Sequence, residues 1–382
     1  MRPLRLTAVL LAAGRSSRMG TQKALLPLGA ESVVERIIRV IRQSGVSTIR
    51  VVTGHRQEML MPLLQAAGVE PVTNPNFTEG MFSSVKTGLS GLDAECTGAL
   101  VMPVDVPLVR SWTIRELIRH FDSDPNRILY PVFHGERGHP PLIPIWKIPE
   151  ILDWQGTGGL RACLAQSDAL SANVPVPDCN ILFDMDTPDD YTEATRRWKR
   201  REVPTAAECE AILRETHPVS EEVFRHCHQV ARVADAIASA LLQTGQSLDA
   251  ELVLSAALLH DIAKERLSHA EIGDRWLTEM GFARTGAVVA SHTNIAVSKD
   301  GPVSESEIVY IADKYVSGDS VVPLRERFQK ALSRYGRQVD IQRRIQKREN
   351  AAILINQRIE KLLGESIPDI IKRSEIPNVS IP

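Results

Sequence analysis

Residues 10–28 read LLAAGRSSRMGTQKALLPL, and the first half of the chain turns on how this stretch is understood. It continues an apolar run, LTAVLLA (Leu6–Ala12), which is too short, and too soon followed by Arg15 and Arg18, for a signal peptide or a membrane span. A continuous run of that length suits a β-strand buried on both faces. Gly14, the small polar residues and the cations Arg15, Arg18 and Lys23 then make a basic turn after the strand. Backbone N–H groups of such a turn cradle phosphate while Arg18 and Lys23 neutralise its charge, but a solvated turn that is merely basic fits equally well. Two common phosphate loops are excluded. Met19 stands where G-x-x-x-x-G-K-[ST] needs its second glycine, and no G-x-G-x-x-G is present.

Outward from this turn, SVVERIIRVIRQSG (Ser32–Gly45) predicts an amphipathic helix. Ser32 and Glu35 have capping-box spacing, Val33, Ile37, Val40 and Ile41 form a stripe, and Gly45 stops it. TIRVVTG (Thr48–Gly54) predicts the next strand, and GALVMPVDVPLV (Gly98–Val109) a later one running into Asp105. Strands and helices in alternation predict an α/β domain with a mostly parallel sheet and helices on both faces. After Tyr191 the pattern changes: a charged helix runs into Pro204, and beyond it nearly everything reads as helix. Helix starts are marked by Thr205 with Glu208, Ser268 with Glu271 and Ser304 with Glu307. The expected organisation is a domain over 1–198, a linker over 199–204, an all-α bundle over 205–365 and a loosely held tail over 366–382.

The 382 residues exceed the usual single domain. Hydrophobic content of 43% and charged content of 24% are those of a soluble globular protein. A net charge of −2 argues against wholesale binding to nucleic acid or an anionic membrane. The basic run from Arg325 to Arg348 is broken by Glu326 and Asp340, has no aromatic series, and reads as a solvated helix face. Five scattered cysteines without a C-x-x-C pair suit reduced thiols, so a cytoplasmic protein is expected.

Two further stretches bear on the basic turn. Asp105 ends an apolar strand, where open α/β sheets place ligands, and its carboxylate suits Mg²⁺ held against nucleotide phosphates. In FDMDTPDDY (Phe183–Tyr191), Thr187, Pro188 and Asp190 start a helix, and Asp189 and Asp190 read as first-turn charges. Asp184 and Asp186 precede the cap and are the better metal candidates.

With these residues set out, LAAGRSSRMGTQK resembles the L-A-A-G-x-S-x-R-M-G-x-x-K signature of the molybdenum cofactor cytidylyltransferases and their relatives. The similarity continues in order through NPNFTEGMFSSVKTGL (Asn74–Leu89), VDVPLV, GHPPLI (Gly138–Ile143) and DMDTPDD. The resemblance implies a Rossmann-like nucleotidyltransferase that moves a nucleoside monophosphate from a triphosphate onto a phosphorylated acceptor. It implies a nucleotide site at Leu11, Ala12, Ala13, Gly14, Arg18 and Lys23, with Ser83 and Ser84 nearby, and Mg²⁺ on Asp105. Lys23, Arg18 and Asp105 become the catalytic candidates, and Gly138, His139, Pro140 and Arg161 lie toward the acceptor. Ala13, where the guanylyltransferase branch has glycine, favours CTP over GTP. Thr157 replaces the acid of the G-D-x-G-A-R element found in relatives, so molybdopterin and a sugar phosphate both stay open as acceptor. The partner implied is a molybdoenzyme that receives the cofactor.

The second half holds a different constellation. In SEEVFRHCHQVARVADAIA, His226 shares a helix face with Val230, Val233 and Ile237, whereas His228 shares one with Arg232 and Asp235. His226 therefore points into the core, as a structural histidine or as a ligand. LSAALLHDIAK adds His260 and Asp261, and SEIVYIADKYV places Asp313 in an apolar setting where an ionised carboxylate needs a partner or a metal. Two imidazoles and two carboxylates suit Mn²⁺, Fe²⁺, Mg²⁺ or Zn²⁺. The order H…HD…D with HDIAK resembles the HD-domain metal-dependent phosphohydrolases, which implies a helical bundle with His260 and Asp261 at its catalytic centre. His292, and more weakly His269, are candidates for a second metal or for substrate phosphate, and Lys264 for phosphate or a helix C-terminus. Alternatives left open are a chain that is primarily a phosphohydrolase, and a helical half that only binds or dimerises.

Overall fold

The computed structural model describes residues 4–297, 301–335 and 338–374. Ala8 to Leu11 are all buried, which is why this strand shows no polar alternation. The sheet strands are β1 (Leu6–Leu11), β2 (Thr48–Thr53), β3 (Glu70–Thr73), β4 (Gly98–Pro103), β5 (Ile128–Phe133), β6 (Leu142–Pro144) and β7 (Ser171–Pro175). They lie in the order β7-β5-β6-β4-β1-β2-β3, with the short strand Glu136–Arg137 on β5. Pairs β1–β2, β1–β4, β2–β3 and β5–β7 are parallel; β6 runs antiparallel to both its neighbours. The loops after β4, β1 and β2 thus meet at one carboxyl edge of the sheet, where ligands of such folds bind.

Helices cover both faces. In the first unit they are α1 (Val33–Gln43), α2 (Met61–Ala66), α3 (Met81–Leu89), α4 (Ser111–Ser123), α5 (Ile148–Asp153), α6 (Gly159–Ala165) and α7 (Pro188–Lys199). Helices α3, α5 and α6 pack on the face of Val9, Leu11, Val52 and Val101. Gly98, with opposite strand parity, faces Phe121 of α4 on the other side. The capping boxes at Ser32–Glu35 and Thr187–Asp190 are both formed. The strands β3, β5, β6 and β7, not foreseen from the sequence, complete the sheet.

The chain divides into two compact units between Arg201 and Glu202. The second is helical: α8 (Ala206–Ala211), α9 (Glu221–Gln243), α10 (Ala250–Leu259), α11 (His269–Met280), α12 (Ala283–Ser291), α13 (Glu305–Lys314), α14 (Leu324–Tyr335), α15 (Val339–Leu363) and α16 (Ile367–Ser374). Helices α9, α10 and α13 pack on one another and α11 pairs with α12. Thr205 and Ser304 cap their helices through Glu208 and Glu307 as expected. Ser268 does not cap α11: its backbone is left-handed, with φ 55°, so its hydroxyl makes no cap bond. The expected loose tail over 366–382 also needs correction. Residues 367–374 form α16, whose Ile367, Ile370 and Ile371 recur at helical spacing, are buried, and pack against α9. Residues 375–382 lie outside the described residues. No helix among the described residues is long and apolar enough to cross a membrane.

Candidate functional site

At the carboxyl edge of the sheet the turn after β1 is pinned to β2. Ala12 N–H donates to Val52 O at 2.8 Å, and His55 N–H donates to Ala13 O at 3.2 Å. The turn then closes on itself, with Lys23 N–H donating to Ser16 Oγ at 3.3 Å. This leaves a cavity of about 270 Å³ lined by Leu11, Ala12, Ala13, Gly14, Lys23, Ser84 and Asp105. Gln22, Phe77, Gly80 and Met81 also line it. These four were not singled out from sequence; only their place in two recognisable motifs signalled them.

Lys23 is buried, and its Nζ lies 2.5 Å from Asp186 Oδ1 and 3.8 Å from Asp105 Oδ2. Arg18, mostly exposed, reaches Asp186 Oδ2 at 3.4 Å. Asp186 is presented by the α7 cap, where Asp190 Oδ2 accepts from the N–H groups of Asp186 and Thr187, and Met185 N–H donates to Asp105 O at 2.8 Å. Burial pushes the Asp105 carboxyl up, Lys23 pulls against that, and the charges of Asp184 and Asp186 add to the rise. Three carboxylates thus stand near one another with an ammonium among them. They offer the hard oxygen donors that Mg²⁺ takes, although Asp105, Asp184 and Asp186 are not among the described groups whose ligand atoms all lie within 4.8 Å.

The remaining candidates of this half are placed unevenly. Ser83 and Ser84 both accept from Asn74 Nδ2, at 2.9 and 3.0 Å, so they also brace the loop before α3. His139 lies near Asp184; burial lowers its imidazole below the usual range while Asp184 opposes the change. Gly138 is packed so closely that a Cβ would stand 2.4 Å from Ile181 O, and Pro140 is buried behind it. Arg161 is exposed on α6 and does not line the cavity.

In the second unit the structure brings His226, His260, Asp261, Asp313 and His292 together, and adds His269. His226 Nε2 is 3.3 Å from Asp313 Oδ1 and 3.6 Å from Asp261 Oδ2. His260 Nε2 is 3.4 Å from Asp261 Oδ2 and 3.8 Å from Asp313 Oδ1. The other oxygen of Asp261, Oδ1, lies 3.5 Å from Nε2 of both His269 and His292. Two ligand groups result, His226–His260–Asp261 and Asp261–His269–His292, sharing one carboxylate. The left-handed turn at Ser268 sets His269 at the start of α11 and within reach of Asp261.

The donor set fits a divalent cation. Nδ1 of His226, His260 and His292 each faces a backbone carbonyl, of Gly318, Ala257 and Val289, at 2.7, 2.8 and 2.6 Å. A carbonyl only accepts, so Nδ1 carries a proton in each ring and Nε2 is the nitrogen turned to the cluster. His260 Nε2 and Asp261 Oδ1 are buried and have no hydrogen-bond partner. Burial pushes the His269 imidazole down to about 4, and lowers His292 as well, which keeps both rings neutral. Burial opposes ionisation of Asp261, yet His260, His292 and Lys264 outweigh it and hold that carboxyl well below the usual range. Lys264 Nζ sits 2.6 Å from Asp261 Oδ2.

Fold and sites define a two-domain protein in which an α/β nucleotidyltransferase is followed by a helical His/Asp domain. Residues 8–170 match the MobA-like NTP transferase domain, and residues 223–318 match the HD domain. The chain is 26% identical over 195 residues to the molybdenum cofactor cytidylyltransferase of Escherichia coli, covering 50% of this chain and 95% of that protein. It is 27% identical over 190 residues to a probable molybdenum cofactor guanylyltransferase of a Nostoc species, covering 48% and 88%. The crystal structure of Rv0371c from Mycobacterium tuberculosis aligns with 51% of this chain and 100% of that one, at 27% identity and a TM-score of 0.45. The first unit thus carries a MobA-like NTP transferase domain and the second an HD domain.

Proposed function

We propose that the first unit transfers CMP from CTP to molybdopterin or the molybdenum cofactor, releasing pyrophosphate. The observation behind this reading is that Lys23 and Asp105 line the cavity under the LAAG turn while Lys23 also pairs with Asp186. A phosphate oxygen of the acceptor attacks the α-phosphorus, the α–β bridging P–O bond breaks, and pyrophosphate departs with the bond's electrons. Lys23 and Arg18 exchange Asp186 for the triphosphate and neutralise the charge that grows on the leaving group. Asp105, with Asp184 and Asp186 beside it, would hold Mg²⁺, which supplies further neutralisation of the phosphates when bound. Ser84 and the Leu11–Gly14 backbone line the nucleotide, and Gly138–Pro140 lie toward the acceptor, with Arg161 reaching it only from the surface. Ala13 favours CTP over GTP. A molybdoenzyme that takes up the product, and a cytoplasmic setting, belong to the same reading.

The second unit, on this proposal, is a metal-dependent phosphohydrolase. His226, His260, Asp261 and Asp313 would hold one divalent ion, with His292, His269 and the second oxygen of Asp261 available for another. Such an ion supplies a Lewis acid and an activated water for attack on a phosphate ester. Lys264 orients Asp261 and offers positive charge to the phosphate.

Pyrophosphate release from each of the four NTPs, with Mg²⁺ and either molybdopterin or a sugar phosphate, tests the first reading. Turnover of CTP with molybdopterin is expected. Equal turnover of all four with a sugar phosphate, and none with molybdopterin, would overturn it. Release of phosphate from a phosphomonoester panel with Mn²⁺, abolished by Asp261→Ala, is expected of the second unit; release unchanged by that substitution would contradict its assignment.

A further inference from the structure

Each of the two carboxylates in the helical cluster is divided between imidazoles and an ammonium. Asp313 turns Oδ1 toward His226 and His260, while its Oδ2 pairs with Lys314, the next residue on α13. Asp261 also pairs with an ammonium, that of the more exposed Lys264, through the same Oδ2 that faces His226 and His260. Lys314 is no surface cation: it is buried, and its Nζ also donates to His292 O at 3.3 Å. It therefore ties the carboxylate beside His226 and His260 to the backbone of a histidine in the other ligand group. The ammonium groups of Lys314 and of the more exposed Lys264 thus stand against the two carboxylate charges, and Arg327 and Arg348 add positive potential at longer range.

That balance has a chemical consequence. A metal centre built on two unopposed carboxylates is neutralised when it takes a divalent ion. This cluster is close to neutral before the ion arrives, so each ion leaves an uncompensated double positive charge in a low-dielectric interior. Such a charge is relieved by an anion entering with the ion, and phosphate supplies two negative charges and several oxygen donors.

We propose that Lys314 is a positioning residue that offsets the charge of Asp313, so that a divalent ion and a phosphate anion bind the cluster together, each tightening the other. This rests on the reading of the second unit as a metal-dependent phosphohydrolase. Lys314 touches neither reactant. It acts through Asp313 and through the backbone of His292, and it sets weak affinity for the ion alone against strong affinity for the pair.

The test is Mn²⁺ binding to the full chain, followed by the electron paramagnetic resonance of free Mn²⁺, with and without inorganic phosphate. In the native protein, phosphate should tighten Mn²⁺ roughly tenfold, and Mn²⁺ should tighten phosphate by the same factor. Lys314→Met should bind Mn²⁺ alone several-fold more tightly than the native chain and lose most of the coupling to phosphate, whereas Lys314→Arg should restore both. Tighter binding on loss of a buried charge is the reverse of what a damaged fold produces, so a structural role alone does not mimic it. The native measurement stands by itself if Lys314→Met fails to fold. Mn²⁺ binding that phosphate leaves unchanged would overturn the proposal while sparing the metal site, as would a Lys314→Met chain with weakened Mn²⁺ binding and intact coupling. A native chain that binds no divalent ion would overturn the metal reading and this proposal with it.

Discussion

Lys23, which lines the cavity under the basic turn, and Asp186, 163 positions away in sequence, form an ion pair at 2.5 Å. A triphosphate entering that cavity competes with Asp186 for the same ammonium. On the proposed function, the pair opposes binding of the bare anion, and its carboxylate would become available for Mg²⁺ only when the anion has displaced it.

Asp186→Asn should accordingly tighten inorganic tripolyphosphate in the presence of EDTA, by roughly three- to tenfold for a partly exposed pair. With Mg²⁺ and CTP the same variant should bind more weakly than the native chain. Isothermal titration under both conditions gives the two signs. Equal affinity of variant and native protein in EDTA would mean that Asp186 does not restrain Lys23.

A close contact in the first unit yields a stability prediction away from the chemistry. Gly88 of α3 lies so near the sheet that a Cβ would stand 2.3 Å from Val9 Cγ1 and 2.8 Å from Val52 Cγ2. Gly88→Ala should therefore destabilise the unit by about 1–3 kcal/mol, because the core must open to admit a methyl group that helix propensity alone would favour. Urea unfolding of the native and variant chains measures it, and a variant as stable as the native chain would contradict the packing described.

Much of this architecture is legible in the amino-acid order where the physics is local. The apolar run before Gly14, the Ser32–Glu35 and Thr187–Asp190 boxes, and Asp105 at a strand end each follow from neighbours a few residues apart. His226 was legible because helical periodicity turns it inward, and His260, Asp261 and Asp313 because they stand within or at the end of apolar runs. The strands β3, β5, β6 and β7 were not, since Pro71, Pro131, Pro144 and Pro175 weaken the usual strand signal and only tertiary pairing makes room for them. The tie between Lys23 and Asp186 joins distant segments through the sheet, so no local spacing announces it. Ser268 misled because its capping-box spacing with Glu271 is real, while the chain adopts a left-handed turn there that brings His269 to Asp261.

On α7, hydrogen bonds from Arg196 hold the Glu193 carboxyl down to about 2, burial opposes this, and Arg197 adds to the lowering. The folded value lies below the unfolded value of 4.5, so the stabilisation is fully present above pH 4.5 and is lost as the pH falls toward 2. Solvent screening keeps it below about 1 kcal/mol. Glu193→Gln should therefore lower the melting temperature of the first unit slightly at pH 7, and the difference from the native chain should narrow between pH 4.5 and pH 3. A difference that stays constant across that range would show that the carboxylate charge is not what α7 uses.

The shared carboxylate of the helical unit makes the most specific demand on metal content. Because Asp261 turns Oδ2 to His226 and His260 and Oδ1 to His269 and His292, one substitution should impair both ligand groups, whereas a histidine change should impair one. Elemental analysis after loading with Mn²⁺ should find a lower content in His292→Ala and in His226→Ala than in the native chain, and close to none in Asp261→Ala. Ion binding should also appear as stability of this unit, about 2.7 kcal/mol at a free ion concentration a hundred times the Kd. EDTA should remove that increment from the native chain, remove part of it from either histidine variant, and leave Asp261→Ala unmoved. An Asp261→Ala chain that keeps an ion at native affinity would show that the two groups do not meet at this carboxylate, and that His226, His260 and Asp313 suffice without it.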